Sequence, residues 1–263
     1  MAGKTIVVTS GKGGVGKTTT VANIGTMLAK KKYSVCMIDA DIGLRNLDVV
    51  MGLENRIVYN LVDVIEGNCR KPQAMIRDRK LSNLCMIPAA QTREKNAVTP
   101  EQMKTLCEEL AEEFDYIFID CPAGIEQGFK NAVAGAHMAI VVTTPEVSAI
   151  RDADRVIGLL EASLLKDIHL IITRLNHRMV KKGDMMSTAD ILSLLAVPLL
   201  GVVPESEEVV ISTNRGVPLV HQRGSRAGRA FTQIAARLNG EDVPFEEEKG
   251  DGFLAKVKRF IRS

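Results

Sequence analysis

The chain has 263 residues, enough for one sizeable hydrophobic core, and its 46% apolar and 25% charged residues are ordinary for a globular protein. A net charge of +2 is too small to argue for bulk nucleic-acid binding, and no apolar run approaches the roughly 20 residues of a membrane-spanning helix. Five cysteines without a C-x-x-C pair argue against a disulfide framework and against a simple zinc or iron–sulfur site, and fit the reducing cytosol.

In chain order, the first element is a strand, Thr5–Thr9, so the N-terminus reads neither as a signal nor as a transit peptide. Further β-branched runs predict strands at Ser34–Ile38, Leu84–Ile87, Tyr116–Ile119, Met138–Thr143, Ile168–Thr173 and Leu199–Val203. Helical segments lie between them, clearest at Lys17–Lys31, Pro100–Glu113, Val147–Leu165, Thr188–Leu195 and Ala227–Leu238. The strands are apolar nearly throughout, as expected where helices cover both faces of a sheet. Such alternation predicts an α/β fold, a doubly wound and mostly parallel sheet with ligands beyond the carboxyl ends of its strands. The composition breaks once, so the expected organisation is one main domain over residues 1–245, an acidic, glycine-bearing linker over 246–252 and a tail over 253–263.

Directly after the first strand, Gly11-Lys12-Gly13-Gly14-Val15-Gly16-Lys17-Thr18 matches the phosphate-loop pattern G-x-x-x-x-G-K-[ST]. Glycines let backbone N–H groups converge on phosphate oxygens, and the helix that follows adds its partial positive charge. Lys17 is placed to bridge the β- and γ-phosphates of ATP and the Thr18 hydroxyl to coordinate Mg²⁺, with Thr19 next in the first helical turn. Lys12 is a second lysine that the ordinary motif does not require. It is either a solvated loop residue or a second cation aimed at phosphate charge. Two strands end in carboxylates, Asp39 with Asp41 just beyond it, and Asp120. A strand-terminal Asp is often only a turn former or helix cap. Beside a phosphate loop, Asp120 is the expected Mg²⁺ carboxylate, followed by the turn Cys121-Pro122-Ala123-Gly124, while Asp39–Asp48 is a candidate switch.

Taken together, Ser10–Thr20, Asp39–Asp48, Asp120–Glu126 and Thr144–Ser148 with Arg151–Arg155 resemble the MinD family. These are P-loop ATPases with a signature lysine that help place the bacterial division site. The resemblance covers the whole chain, and Asp39–Asp48 is its most specific part. It implies an ATP-dependent homodimer in which Lys12 contacts the phosphates bound by the partner subunit. Asp41 is then expected to position the attacking water and to lie at the Mg²⁺ site, and Asn46 falls in the first switch. Asn176 matches an adenine-contacting asparagine, with Arg174 just before it and Pro204 and Glu205 beside the base. The helix carrying Asp152 and Asp154 falls where a MinC-like division inhibitor and a MinE-like activator dock. Cys121 stands where relatives often have Ser. The rivals are a DNA-binding partition ATPase, which would want a basic surface patch, a flagellar-number ATPase with the same loop, and a cluster carrier, for which the cysteines lack suitable spacing.

The tail can be read without the family. At about 100° per residue, Phe253, Leu254, Val257, Phe260 and Ile261 share an arc of roughly 120°, with Lys256, Lys258, Arg259 and Arg262 opposite. This is the layout of a helix lying in the headgroup region of an anionic membrane. The expectation is a cytoplasmic ATPase held peripherally on the inner membrane. The resemblance further implies that it binds there as an ATP dimer, recruits a division inhibitor and leaves on hydrolysis.

Overall fold

A computed structural model describes residues 2–94 and 96–245. The eight strands are β1 (Lys4–Thr9), β2 (Val35–Asp39), β3 (Ile76–Arg77), β4 (Leu84–Ile87), β5 (Tyr116–Asp120), β6 (Met138–Thr143), β7 (Ile168–Leu175) and β8 (Leu199–Pro204). They form one sheet in the order β3-β4-β2-β5-β1-β6-β7-β8, parallel except for the short edge strand β3. The predicted α/β class and mostly parallel sheet are therefore observed. The order reverses at β1, so the loop after β1 lies at the switch point, where open α/β sheets bind ligands.

Both faces of the sheet are covered. One layer holds α1 (Lys17–Lys30), α2 (Leu47–Met51) and α11 (Arg226–Leu238), packed on residues such as Ile6, Met37 and Phe118. The other holds α3 (Leu61–Ile65), α5 (Pro100–Ala111), α6 (Gln127–Ala134), α7 (Val147–Ala162) and α9 (Thr188–Leu195), packed on Val7, Ile38 and Ile119. Every residue of β2, β5 and β6 is buried, which is why these strands read as continuous apolar runs. Burying each large aliphatic side chain contributes about 1.5–3 kcal/mol, so these layers dominate the stability of the fold.

Helix starts follow local chemistry. Thr99 accepts from the Gln102 N–H and the Gln102 side chain returns to the Thr99 N–H, with Pro100 at the first helical position. Ser187 and Asp190 cap α9 in the same way. Helix ends fall short of the sequence reading. The segment predicted as Val147–Leu165 stops at Ala162, and Leu164 adopts a φ of 63° that no α-helix continues. The segment predicted as Lys17–Lys31 ends at Lys30, with Lys32 at φ 77° just beyond. The helix predicted as Pro100–Glu113 closes at Ala111, where the Glu113 and Phe114 N–H groups both turn back to the Leu110 carbonyl. Six of the described helices, α2, α3, α4 (Lys71–Ala74), α6, α8 (His177–Lys182) and α10 (Glu207–Asn214), and the edge strand β3 are not among the elements expected from sequence.

Among the described residues no helix is long and apolar enough to cross a membrane. The expected linker 246–252 and the apolar tail residues Phe253, Leu254, Val257, Phe260 and Ile261 lie outside the described residues.

Candidate nucleotide site

The loop between β1 and α1 owes its shape to glycine. Gly14 and Gly16 have φ of 75° and 100°, a region closed to most side chains. A Cβ on Gly14 would meet nothing within 4 Å, so the loop opens onto free space. Gly16 is the N-cap of α1 and supplies no side-chain cap, which leaves the first N–H groups of the helix to an outside acceptor. Gly11 has a different reason. A Cβ there would lie 2.5 Å from the Asp152 carbonyl oxygen and Cβ, so the loop rests directly on α7. Val15 is buried beneath the loop, and its carbonyl accepts from Thr173 Oγ1 at 2.7 Å. Gly13 is exposed at the crest.

The cations follow. Lys17 is buried and donates to Ser10 Oγ at 3.0 Å, and Ser10 Oγ in turn donates to the Lys12 carbonyl at 2.7 Å. The Lys17 ammonium is thereby held at the base of the loop rather than in solvent. Lys12 is exposed, with its ammonium 3.3 Å from Glu146 Oε2 and 3.4 Å from Ser148 Oγ at the start of α7. Thr18 and Thr19 are half-buried in the first turn of α1.

Opposite the loop, Asp39 and Asp120 are register partners at the carboxyl ends of β2 and β5. Burial pushes the Asp120 carboxyl well above the usual range, and the Asp39 charge pushes it further. The Thr18 hydroxyl and the Lys17 ammonium only partly oppose this. Its Oδ1 is buried without a hydrogen-bond partner. A buried carboxylate with one unpartnered oxygen, beside a hydroxyl and a phosphate loop, fits Mg²⁺, which prefers one or two carboxylates plus phosphate oxygens to an all-protein cage. Accordingly, among the described residues no group of three or more His, Cys, Asp or Glu could hold an ion unaided.

Asp39 does something else. Its Oδ1 accepts from the Asp41 N–H at 3.0 Å, and its Oδ2 accepts from Asn46 and Leu47 at 3.0 and 3.1 Å. One carboxylate thus ties both ends of the loop 40–46 and sets the start of α2. Burial raises the Asp39 carboxyl, the three backbone donors oppose that, and the neighbouring Asp41 charge adds to it. Asp41 is half-buried at the loop's start and Asn46 exposed at its end, with the Arg45–Asp48 ion pair at 2.9 Å beside it. Burial also pushes the Cys121 thiol up to about 12, so this residue is an inert neutral group behind Asp120.

Comparison with known proteins agrees with this geometry. Residues 6–219 match the family described as the CobQ/CobB/MinD/ParA nucleotide binding domain. The septum site-determining protein MinD of Bacillus subtilis is 54% identical over 263 residues, covering 98% of this chain and 98% of its own. The chain belongs to the MinD family. Among solved structures, the MinC:MinD cell division protein complex of Aquifex aeolicus superposes with a TM-score of 0.87 at 46% identity, covering 93% of this chain and 99% of that one. The septum site-determining protein MinD of Pyrococcus horikoshii, solved with Mg-ADP, gives 0.81 at 28% identity, covering 90% and 96%.

The other positions singled out by MinD-family resemblance are dispersed over the strand ends, the phosphate loop and α7. Asn176, Pro204 and Glu205 come together beyond β7 and β8, where Asn176 Nδ2 donates to Glu205 Oε2 at 2.9 Å. Asn176 Oδ1 is already engaged as the N-cap of α8, accepting from Arg178 and Met179. Arg174 sits at φ 54° and donates to the Gly14 carbonyl at 2.7 Å, so it braces the phosphate loop from below. Asp152 and Asp154 part company: Asp152 is half-buried against Gly11, and only Asp154 faces solvent. The sequence reading missed the bracing role of Asp39, and it missed Ser10, Thr173 and Glu146 altogether. Ser10 and Glu146 lie inside segments that carried the resemblance, and that placement was the available signal.

Proposed function

We propose that this MinD-family chain is an Mg²⁺-dependent ATPase acting as a switch for division-site placement, cytoplasmic and peripheral on the inner membrane. The observation that carries it is the pairing of an open phosphate loop with a buried, unpartnered Asp120 oxygen. The loop N–H groups and Lys17 bind the β- and γ-phosphates, while Thr18 and Asp120 hold Mg²⁺ with Asp41 near it. The ion supplies neutralisation of charge developing on the phosphate oxygens. Asp41 orients the attacking water and Asn46 carries the phosphate state into the switch loop. Lys12, exposed at the crest, reaches the phosphates held by a second copy and makes hydrolysis depend on dimerisation. Asn176, Pro204 and Glu205 flank the base.

The relative solved as a MinC:MinD complex supports a MinC-like inhibitor as a partner, and a MinE-like activator is the natural counterpart. The tail supplies the membrane contact. Each basic residue near an anionic surface contributes about 1 kcal/mol, so one tail binds weakly, and two on a dimer bind far more tightly through effective concentration. Dimerisation by ATP then sets membrane residence, and hydrolysis ends it. Sedimentation with anionic liposomes tests this. The protein should pellet with ATP and stay in solution with ADP, and Phe260→Glu should abolish pelleting; equal pelleting in both nucleotides would overturn the switch.

A further inference from the structure

On the α3–α5 face, remote from the phosphate loop, α3, α4 and α5 enclose an open groove of about 550 Å³. Its floor is apolar, formed by Val64, Ile65, Cys69 and Leu106. Its long wall is acidic: Glu101 and Glu109 line it, and the exposed Glu108, Glu112 and Glu113 extend the same face of the chain. The basic groups at the groove are Arg70 and Lys71, and Lys71 is already engaged by Glu109 and Glu113 at 2.8 and 3.4 Å. An apolar floor under an acidic wall calls for a segment that is apolar on one side and basic on the other.

The chain contains such a segment. Residues 253–263, outside those described, carry Phe253, Leu254, Val257, Phe260 and Ile261 at helical spacing against Lys256, Lys258, Arg259 and Arg262. We propose that this tail docks in the groove of its own chain when it is not on a membrane, so that the groove is the competitor of the lipid surface.

The path is short enough. Past α11, Asn239 accepts from Tyr116 Oη at the start of β5. Phe245, the last described residue, lies beneath the Arg237 guanidinium and packs on the same hydrophobic layer as the groove floor. Arg237 also donates to Leu200 of β8, and α5 packs on β1 and β5. From β8 back to β5 is four strand spacings, about 19 Å at roughly 4.8 Å each. The linker 246–252 spans up to about 24 Å at about 3.4 Å per residue. The groove also connects to the nucleotide. Leu61 of α3 and Met103 of α5 meet Ala40 and Ile42 of the switch loop around one small cavity. That loop and two of the groove helices, α3 and α5, thus line the same cavity.

The proposal rests on the tail being the membrane contact, but its test does not. Cys69 lies in the groove and is half-buried, whereas Cys36, Cys85, Cys107 and Cys121 are buried. Maleimide labelling of Cys69 in lipid-free, ADP-loaded full-length protein is therefore a direct probe of the groove. Phe260→Asp in the tail and, separately, the pair Glu101→Lys and Glu109→Lys in the wall should each speed labelling at least threefold. In ADP the wall variants should also bind anionic liposomes more than the wild type does, while staying below their own binding in ATP, because a single freed tail is a weak anchor. Unchanged Cys69 labelling in both variants overturns the proposal, and so does protection that vanishes on dilution, because the occupant is then a second copy. Protection without pelleting in any nucleotide would sink the membrane reading and leave the docking intact.

Discussion

Asp39 and Asp120 stand side by side at the ends of β2 and β5, yet they meet opposite fates. Asp39 accepts three backbone N–H groups, while Asp120 is left with a buried oxygen that has no hydrogen-bond partner among the described residues. The first therefore shapes the loop 40–46, and the second is the carboxylate that the proposed function assigns to Mg²⁺. Asp39→Ala should cost about 1–3 kcal/mol, because it strands buried donors at Asn46 and Leu47, with part of the loss offset by relief of the Asp39–Asp120 repulsion. Urea unfolding of the metal-free protein measures it. No loss of stability would mean those amides are satisfied in another way.

The same pair gives the metal-free protein an unusual pH response. Asp120 is raised from 3.8 to about 8, with burial the main cause and the Asp39 charge second. An acid that titrates higher in the folded chain binds more protons there, so stability falls as pH rises through that window. The melting temperature of metal-free protein should drop between about pH 5 and pH 8, and Mg²⁺ with nucleotide should flatten the drop by stabilising the ionised form. A flat profile without Mg²⁺ would show that Asp120 is not the uncompensated charge.

Much of this was legible in the sequence, and what was hidden has common causes. The strands of the parallel sheet, the phosphate loop and the carboxylate Asp120 each carry a local signal: an apolar run, fixed glycine spacing, a strand that ends in Asp. The helices α2, α3 and α4 are too short to show a 3.6-residue period, and β3 pairs over only two residues. Asp39 looked like a possible turn former because its partners, Asn46 and Leu47, become neighbours only once the loop folds back. Arg174 was expected at the nucleotide only from its place just before Asn176, with no contact assigned to it. Its left-handed backbone, next to a register shift in β7, turns it toward the phosphate loop.

Lys17 and Asp41 separate binding from chemistry. Lys17→Ala removes the buried ammonium at the base of the loop and should abolish measurable hydrolysis, a loss on the order of 10²–10³-fold or more, with weaker ATP binding. Asp41→Ala leaves Lys17 and the loop glycines in place, so it should still bind ATP and yet lose about 10²–10⁴-fold in turnover. Titration with a non-hydrolysable analogue beside a phosphate-release assay distinguishes them. Wild-type turnover in Lys17→Ala would remove the site assignment.

Lys12 tests the dimer. In the single chain its ammonium pairs with Glu146 and touches Ser148, and both ends of the ion pair are about half exposed. Such pairs contribute only about 0.2–1 kcal/mol, so the contact can hold Lys12 near α7 without committing it there. Two variants then part ways. Glu146→Gln frees Lys12 and should tighten ATP-dependent dimerisation by no more than about fivefold, the factor that 1 kcal/mol allows. Lys12→Ala should still bind nucleotide through the loop and Lys17, but it should fail to dimerise with ATP, because the proposed dimer has this lysine contact the phosphates held by the other copy. Light scattering at several protein concentrations reads both. A Lys12→Ala protein that dimerises as the wild type does would show that the exposed lysine serves only its own chain, and the Glu146 contact would then be a structural tie rather than a resting place.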